Sequence, residues 1–202
     1  KAGLVIQNPF NQISGARYTV RGEIAFGLEN LGTPRAEMAA GVDEVAALLR
    51  ITDLLDRSPY ALSGGQMQLV AIASMLVLRT PVLVMDEPTS QLDPAGTRLV
   101  FSVLDALEQA GVTVVIFEHK LELLQAHADR LLVLADHSIA LAGTPTEVLA
   151  DERLGGWGIG ATRYTRAARL ARERGLIGAE LSLPVSFDQA AAVFGAGAGG
   201  AR

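Results

Sequence analysis

The stretch Leu62-Ser63-Gly64-Gly65-Gln66, followed by Val82-Leu83-Val84-Met85-Asp86-Glu87-Pro88, decides the fold. A serine and two glycines at the start of an apolar helix leave backbone N–H groups and a hydroxyl without helical partners. Together with the positive end of the helix dipole, these donors favour binding of a phosphate. Read alone, Ser63-Gly64-Gly65 favours a plain capped helix after a Gly-rich turn. The acidic strand that follows it is what favours a phosphate site.

That second string predicts a strand with a ligand site at its end. Val82, Leu83 and Val84 show no alternation, which is typical of a strand buried on both faces. Asp86 and Glu87 end the strand, at the edge where open α/β sheets bind ligands. The first carboxylate suits Mg²⁺ held through water, and the second suits orienting or deprotonating an attacking water. Solvated acids at a strand end are the alternative, which the following string Pro88-Thr89-Ser90-Gln91-Leu92-Asp93 makes less attractive.

Strands alternate with helices on both sides of these motifs. The spacing predicts strands over residues 3–6, 112–117 (also buried), 130–134 and 138–141, and helices over 20–28, 35–55, 63–78, 94–109 and 121–128. This order predicts an α/β fold, a parallel sheet with helices on both faces. We place a helical subdomain at about 34–78 and a boundary near Leu154. Residues 1–154 then form a partial domain and 155–202 an appendage or linker, with an exposed helix over 162–174 and a Gly/Ala tail over 195–202.

Composition narrows the function classes. The chain has 202 residues, is 50% hydrophobic and carries a net charge of −5. Its Lys and Arg residues are scattered without a basic stripe, so we expect no nucleic-acid partner. With no cysteine in this sequence, a disulfide framework and a Cys-ligated zinc site are excluded. The longest strongly apolar stretch, residues 69–78, is too short to cross a bilayer and predicts a buried helix.

The order of the motifs resembles the ATP-binding domains of ABC transporters. The resemblance covers residues 3–149 and rests on Gln7, the string 62–66, Asp86-Glu87, Ser90-Gln91-Leu92-Asp93 and His119. It implies a P-loop nucleotide-hydrolase fold and ATPase activity, with ATP and Mg²⁺ as cofactors. A lone histidine after a strand is usually just a polar residue, but its place after the acidic strand favours a catalytic role here. We take the other two histidines, His127 and His137, as structural.

The resemblance implies a role for each motif residue. Glu87 is the implied general base, and His119 the implied contact to the γ-phosphate of ATP. Asp86 and Gln7 are implied to hold Mg²⁺, and the loop around Gln7 to sense a membrane partner. Asp93 is implied to communicate between two facing ATPase domains. Binding of the γ-phosphate held by the opposite domain falls to Ser63, Gly64, Gly65 and Gln66.

Finer features resemble the energy-coupling factor importers, which take up vitamins, cobalt or nickel. They are Gln7-Asn8-Pro9 with Gln12, the string Ala25-Phe26-Gly27-Leu28-Glu29-Asn30-Leu31-Gly32, and Pro88 to Pro94, which is also similar to fused two-ATPase members. The resemblance implies a peripheral motor subunit at the cytoplasmic face of the cell membrane. Its implied partners are a second ATPase domain and a transmembrane coupling protein. A soluble ABC ATPase acting on the ribosome or DNA, and a non-catalytic fragment that supplies only the signature half of a site, are the alternatives.

The sequence departs from the family pattern at two points. It contains no G-x-x-x-x-G-K-[ST] string, and we expect that phosphate-binding loop to lie upstream of Lys1, outside these residues. Leu69 stands where the family usually has Arg, which affects the expected coupling of the signature helix and not the fold. Residues 183–190 resemble the segment that leads into the second ATPase of fused members, and they fit an amphipathic helix packed on its own domain equally well.

Overall fold

Three short strands of β-branched and aliphatic residues pair in parallel near the start of the chain. The computed structural model describes residues 1–198. The strands are β1 (Ala2–Val5), β2 (Val82–Asp86) and β3 (Thr113–Phe117), in the order β1-β2-β3. The register pairs Val5 with Met85 and Asp86 with Phe117, so all three carboxyl ends lie at one edge of the sheet. The predicted α/β fold with a parallel sheet is confirmed.

Helices follow the strands closely. The first part of the chain contains α1 (Pro9–Gln12), α2 (Val20–Asn30), α3 (Arg35–Leu48), α4 (Gly64–Leu76) and α5 (Pro94–Gln109), with 3-10 turns at Thr52–Leu54 and Pro59–Ala61. The bounds of α5 are those predicted, because Asp93 caps its start and Gly111, at φ 83, follows its end. The helix α4 packs against β1 and against α2 and α3, and α5 packs against β3. These contacts hold the two predicted motifs on one scaffold.

The helix predicted over residues 35–55 ends earlier, at Leu48. Ile51 N donates to Ala46 O at 2.9 Å and Arg50 N to Ala47 O at 3.1 Å, while Arg50 adopts a φ of 56. This is a Schellman ending with an arginine at the left-handed position that glycine usually occupies. Four apolar residues at and after the end of the helix are buried, and in a straight helix they could not all lie on one stripe. The turn is favoured for this reason, and the four residues are Leu49, Ile51, Leu54 and Leu55.

The expectation that two strands are buried on both faces is wrong. In β2 the side chains of Leu83 and Met85 are buried, whereas Val82 and Val84 are only partly covered. In β3 no side chain is fully buried, and Val115 and Phe117 are 43% and 49% exposed. Its side chains alternate between solvent and partial cover, because one face of the strand packs against α5. An aliphatic run in the sequence does not show how many layers cover it.

The chain divides into two compact units, Lys1–Glu118 and His119–Arg202. The second contains α6 (Leu121–His127), β4 (Leu131–Ala135), β5 (Ser138–Gly143), α7 (Pro145–Ala150), a 3-10 turn at Glu152–Trp157, α8 (Arg163–Glu173) and α9 (Phe187–Ala198). Leu154, where the sequence predicts a boundary, is buried in the core of this unit. The division at Leu154 between an ATPase domain and an appendage therefore stays a prediction.

The second unit is built on an antiparallel hairpin and not on further parallel strands. β4 pairs with β5, and the turn between them places Asp136 at φ 48 and His137 at φ 61. Two successive positive φ values are the signature of the two-residue turns that match strand twist. One face of the hairpin packs on a core formed by Leu131, Val133, Val148, Leu149, Leu154 and Val185.

Residues 162–185 pack within this second unit. The helix expected to be exposed over 162–174 is α8, and it buries Thr165, Ala168 and Ala171, because their small side chains let it pack against neighbouring segments. Thr165 Oγ1 donates to Pro184 O at 2.8 Å, and Val185 is fully buried. The Gly/Ala-rich end is helical as far as Ala198, and the rest of the predicted tail, residues 199–202, lies outside the described residues. Among residues 1–198, no helix is long and apolar enough to cross a membrane.

Candidate functional site

The N-terminus of α4 carries the string that decides the fold. Ser63 Oγ accepts a hydrogen bond from Gln66 N at 3.3 Å, and Gln66 Oε1 accepts one from Ser63 N at 3.0 Å. This reciprocal capping box satisfies two of the backbone N–H groups that a helix start leaves without partners. The predicted start at Ser63 is confirmed, and the helix ends at Leu76 instead of the predicted residue 78.

The capping box leaves donors for an anion. The Ser63 hydroxyl accepts one hydrogen bond and can still donate its own proton, and the backbone N–H groups of Gly64 and Gly65 precede the first helical bonds. Ser63 is exposed, and Gly64 to Gln66 are half-buried. The helix dipole adds positive potential at this end. A helix cap and an anion site are therefore compatible at this position, and the phosphate site stays a prediction.

Close packing favours glycine at one of these positions. A Cβ atom on Gly65 would lie 3.0 Å from the backbone carbonyl oxygen of Gln91. A Cβ atom on Gly64 would lie 3.2 Å from Gln91 Oε1, the movable end of a side chain. The segment Ser90 to Asp93 is thus packed directly on the start of α4. The structure brings these two predicted motifs together.

The carboxyl end of β2 presents the two acids. Asp86 is exposed and Glu87 is half-buried. Glu87 has a φ of 43, in the left-handed region that non-glycine residues rarely occupy, and its backbone N–H donates to Phe117 O at 2.9 Å. Backbone strain of this kind concentrates at functional sites, where surrounding structure holds it.

Gln7 contacts Glu87 directly. Gln7 Nε2 donates to Glu87 Oε2 at 2.8 Å, although the residues are 80 positions apart in the chain. The parallel pairing of β1 with β2 explains the contact, because Gln7 follows the end of β1 and Glu87 follows the end of β2. The resemblance gave both residues a role, but no local pattern in the sequence predicts that they touch.

Gln7 and Asp86 suit a magnesium ion that binds together with a phosphate-bearing substrate. No three His, Asp or Glu side chains gather into a metal cluster within residues 1–198. Mg²⁺ is usually held by one or two carboxylates together with waters and substrate phosphates. Asp86 supplies one accessible carboxylate, and the Oε1 atom of Gln7 stays available when Nε2 donates to Glu87. The donor set therefore fits Mg²⁺ bound to a phosphate and forms no complete site alone.

Asp93 caps a helix, whereas His119 is exposed after the end of β3. Asp93 Oδ1 accepts from Gly96 N at 2.7 Å and caps α5, a structural role that accompanies any role between domains. Thr89, fully buried, donates from its hydroxyl to Glu118 and fixes the turn after Glu87. His119 is exposed and is the first residue of the second unit, two residues after the end of β3.

Sequence reasoning missed the hydrogen bonds that shape the loop after β1. Gln12 Oε1 accepts from Ile6 N at 3.0 Å, and its Nε2 donates to Leu4 O and to Ala71 O, each at 3.3 Å. On the far side of α1, the buried carboxylate of Glu23 accepts from Ser14 N at 2.6 Å and from Ser14 Oγ at 2.9 Å. Glu23 gave no signal, because a glutamate in a helix pattern reads as solvent-facing.

Two apolar side chains are exposed, one in α1 and one directly after α2. Phe10 and Leu31 are 62% and 59% exposed. Leu31 also lines an open groove of about 390 Å³ whose other walls come from α2, α3 and the residues directly after α4. Glu29, which precedes Leu31 by two residues, pairs with Arg17 of its own chain. Arg17 also stacks on Phe26, with its Cζ atom 5.4 Å from the ring centroid.

Comparison with known proteins gives a consistent assignment. Residues 2–90 match the family described as ABC transporter. The chain is 44% identical over 151 residues to the energy-coupling factor transporter ATP-binding protein EcfA1 of Lacticaseibacillus paracasei. That alignment covers 74% of this chain and 53% of the relative.

Two solved structures share the fold. The structure of cbiO1 from Clostridium perfringens, described as part of the ABC transporter complex cbiONQ, aligns with a TM-score of 0.67 at 30% identity over 86% of this chain and 64% of that chain. The dimeric structure of MJ0796, described as a bacterial ABC transporter cassette, aligns with a TM-score of 0.65 at 25% identity over 72% of this chain and 63% of that one. The chain thus spans between about half and two thirds of the lengths of these relatives.

Proposed function

Because residues 2–90 of this chain belong to the ABC transporter family, we propose that it is part of an ATP-hydrolysing motor subunit of an energy-coupling factor importer. The subunit would couple hydrolysis to uptake of a vitamin or a transition-metal ion. The relative EcfA1, which carries the energy-coupling factor name, supports the subgroup. We place the subunit at the cytoplasmic face of the membrane, attached through partners.

The contact between Gln7 and Glu87 carries the proposal. Glu87 is held in a strained backbone conformation by Phe117 O, and Gln7 Nε2 donates to its carboxylate at 2.8 Å. A half-buried carboxylate fixed in this way is a suitable base for the water that attacks the γ-phosphate. The amide of Gln7 orients the carboxylate that would accept the proton of that water. Mg²⁺, held by Asp86 and Gln7 with the phosphates, would neutralise charge on the triphosphate.

The start of α4 supplies the second half of the chemistry. In our proposal the Ser63 hydroxyl, the N–H groups of Gly64 and Gly65, and the Gln66 amide bind the γ-phosphate of ATP held by an opposite ATPase domain. Such preorganised donors stabilise charge that spreads over the phosphoryl oxygens in the transition state. Asp93, which packs in the same region through Gln91, would relay contact between domains. The dimeric MJ0796 structure supports a two-domain arrangement.

We assign His119 as a contact to the γ-phosphate, on its position after β3 in the motif order. An imidazole at that point could donate a hydrogen bond to a phosphoryl oxygen. The 202 residues contain no G-x-x-x-x-G-K-[ST] string, so we infer that they do not hydrolyse ATP without that loop.

The proposed membrane partner would dock on the surface around Phe10 and Leu31. Both side chains are apolar and more than half exposed, and the groove beside Leu31 offers room for a short helix. The pairing of Glu29 with Arg17 makes Glu29 a weaker contact for that partner than the apolar side chains. The description of cbiO1 as part of a transporter complex supports a membrane-bound assembly.

A test of the proposal is Glu87→Gln in the natural full-length protein. We expect ATP binding to persist and the turnover rate, kcat, to fall by about 100-fold or more, because the attacking water loses its base while Asp86 survives. ATP hydrolysis and nucleotide affinity are measured in parallel. Glu108→Gln, the same change on the exposed end of α5, is the matched control and should behave as wild type. Turnover within a few-fold of wild type for Glu87→Gln would remove Glu87 from catalysis and the proposal with it.

A further inference from the structure

Gln12 makes three hydrogen bonds with one carboxamide. Its Oε1 accepts from Ile6 N at 3.0 Å, and its Nε2 donates to Leu4 O at 3.3 Å. These two bonds close the turn between β1 and α1, because they tie residue 12 back to residues 4 and 6. The turn they close contains Gln7.

The third bond leaves the turn. Gln12 Nε2 also donates to Ala71 O at 3.3 Å, in the middle of α4 and 59 positions along the chain. The same carbonyl accepts from Ser74 Oγ at 2.8 Å, so it takes side-chain bonds from two directions. This bond contributes nothing to closing the turn. It fixes the turn against α4.

The segment from Gln7 to Gln12 therefore has a tie at each end. At one end Gln7 Nε2 contacts the Glu87 carboxylate at 2.8 Å, and at the other Gln12 contacts the backbone of α4. α1 is only four residues long and lies between the ties. Beyond it, Ser14 is anchored on the buried Glu23, which limits the freedom of the segment on that side.

We propose that Gln12 is a positioning residue that couples the placement of Gln7 beside Glu87 to the position of α4. Because α4 begins at the turn formed by Ser63 to Gln66, a shift of the helix along or about its axis would move the phosphate-binding donors and the Gln7–Glu87 contact together. The inference rests on the proposed ATPase function. Gln12 touches no nucleotide in this scheme and acts through the two groups that it joins.

Two substitutions in the natural full-length protein separate this role from simple closure of the turn. Gln12→Met keeps the length of the side chain and removes all three hydrogen bonds. Gln12→Glu keeps the acceptor for Ile6 N, which still holds the turn, and removes the Nε2 donor to Leu4 O and Ala71 O. Gln109→Met, at the exposed end of α5, is the matched control for the loss of an amide. For each variant, kcat, nucleotide affinity, melting temperature and hydrogen exchange of peptides covering 4–14 and 63–76 are measured.

Coupling predicts that Gln12→Met and Gln12→Glu both lower kcat by roughly two- to thirtyfold, the range that coupling residues span. Nucleotide affinity should stay within about twofold, since no residue that touches nucleotide is altered. Exchange should accelerate in both peptides for both variants. If Gln12→Glu does not fold, Gln12→Asn, which shortens the reach to Ala71 by one methylene, carries the same expectation.

Two results would overturn the coupling role. In the first, Gln12→Glu matches wild type while Gln12→Met loses activity, which assigns Gln12 to closure of the turn alone. In the second, both variants lower the melting temperature and leave kcat per folded molecule unchanged. Glu87→Gln assayed beside them separates the two proposals. If it loses turnover while the Gln12 variants keep theirs, only the coupling fails, and if it keeps turnover, the proposed function fails.

Discussion

Two residues of the first unit carry features that lower stability, one in its backbone and one in its side chain. Glu87 holds a left-handed backbone conformation at φ 43. Gln68, on α4, is fully buried, and neither its amide nitrogen nor its carbonyl oxygen has a hydrogen-bond partner among the described residues. Strained backbone and unsatisfied buried polar groups concentrate at functional positions, because a sequence selected only for stability would not keep them. Both residues lie within a few positions of a motif assigned to the site.

Gln68→Met should stabilise the fold. Replacing an unsatisfied buried amide by an apolar group of similar shape removes a desolvation cost, so we expect the free energy of unfolding to rise by about 1 kcal/mol. Urea unfolding of the natural full-length protein measures the change. Gln109→Met, on the surface, should leave it within about 0.5 kcal/mol. A clear loss of stability for Gln68→Met would mean that the amide has a partner in the intact protein.

At the scale of elements, the turn Glu152–Trp157 is held by one acid. Asp151 Oδ1 accepts from Arg153 N at 2.8 Å, and the Arg153 guanidinium donates to the same carboxylate, with Nη2 at 2.7 Å from Oδ2. These bonds to the Arg153 side chain, then to its backbone, lower the pKa of Asp151 to about 2. The carboxylate form is thus favoured in the folded protein.

The sign of the effect gives a pH prediction. A carboxyl group whose pKa is depressed on folding stabilises the fold above its unfolded pKa, near 3.9, and loses that contribution as pH falls toward 2. Between pH 5 and pH 2.5, the melting temperature should therefore fall less for Asp151→Asn than for wild type. Asp129→Asn, a change at an exposed acid, should follow the wild-type curve. Parallel curves for Asp151→Asn and wild type would show that the pair persists in the unfolded chain.

The elements also show how far the sequence predicts the structure. The bounds of α5 and the start of α4 follow from local signals, namely Asp93, Gly111 and the capping string around Ser63. The end of α3 could not be predicted from local signals. Arg50 takes the left-handed position there, and only a glycine at that position would have indicated the end of a helix. The partial exposure of β3 could not be predicted either, since burial depends on what covers a strand.

The candidate site also has a part that the sequence predicts and a part that it does not. The resemblance named Gln7, Glu87 and the start of α4 from their order along the chain. The two long-range contacts, Gln7 with Glu87 and Gln12 with Ala71, join residues 80 and 59 positions apart, so they depend on strand pairing and helix packing. Gln12 donates to the backbone carbonyl of Ala71, which every residue type has, so the identity of residue 71 could not predict this hydrogen bond.

At the scale of the whole molecule, no phosphate-binding G-x-x-x-x-G-K-[ST] string accompanies the proposed base Glu87 and its partner Gln7 in these 202 residues. A polypeptide of residues 1–202 should therefore bind Mg-ATP too weakly for detection in the micromolar range, since it lacks the lysine and the backbone cradle that hold the phosphates. Isothermal calorimetry measures this, with the natural full-length protein as the control and circular dichroism to establish that the polypeptide is folded. Micromolar affinity for the short polypeptide would show that other residues hold the phosphates.

The partly covered strand β3 has a practical consequence for such a polypeptide. Its sequence Thr-Val-Val-Ile-Phe combines high β-propensity with no charge, and Val115 and Phe117 are each more than two fifths exposed. Segments of this kind, when accessible, template intermolecular β-sheets. The net charge of −5 opposes that association by repulsion, and salt weakens the repulsion. Colloidal stability of the isolated chain should thus be best at low ionic strength and above neutral pH, and concentrated high-salt stocks should precipitate first.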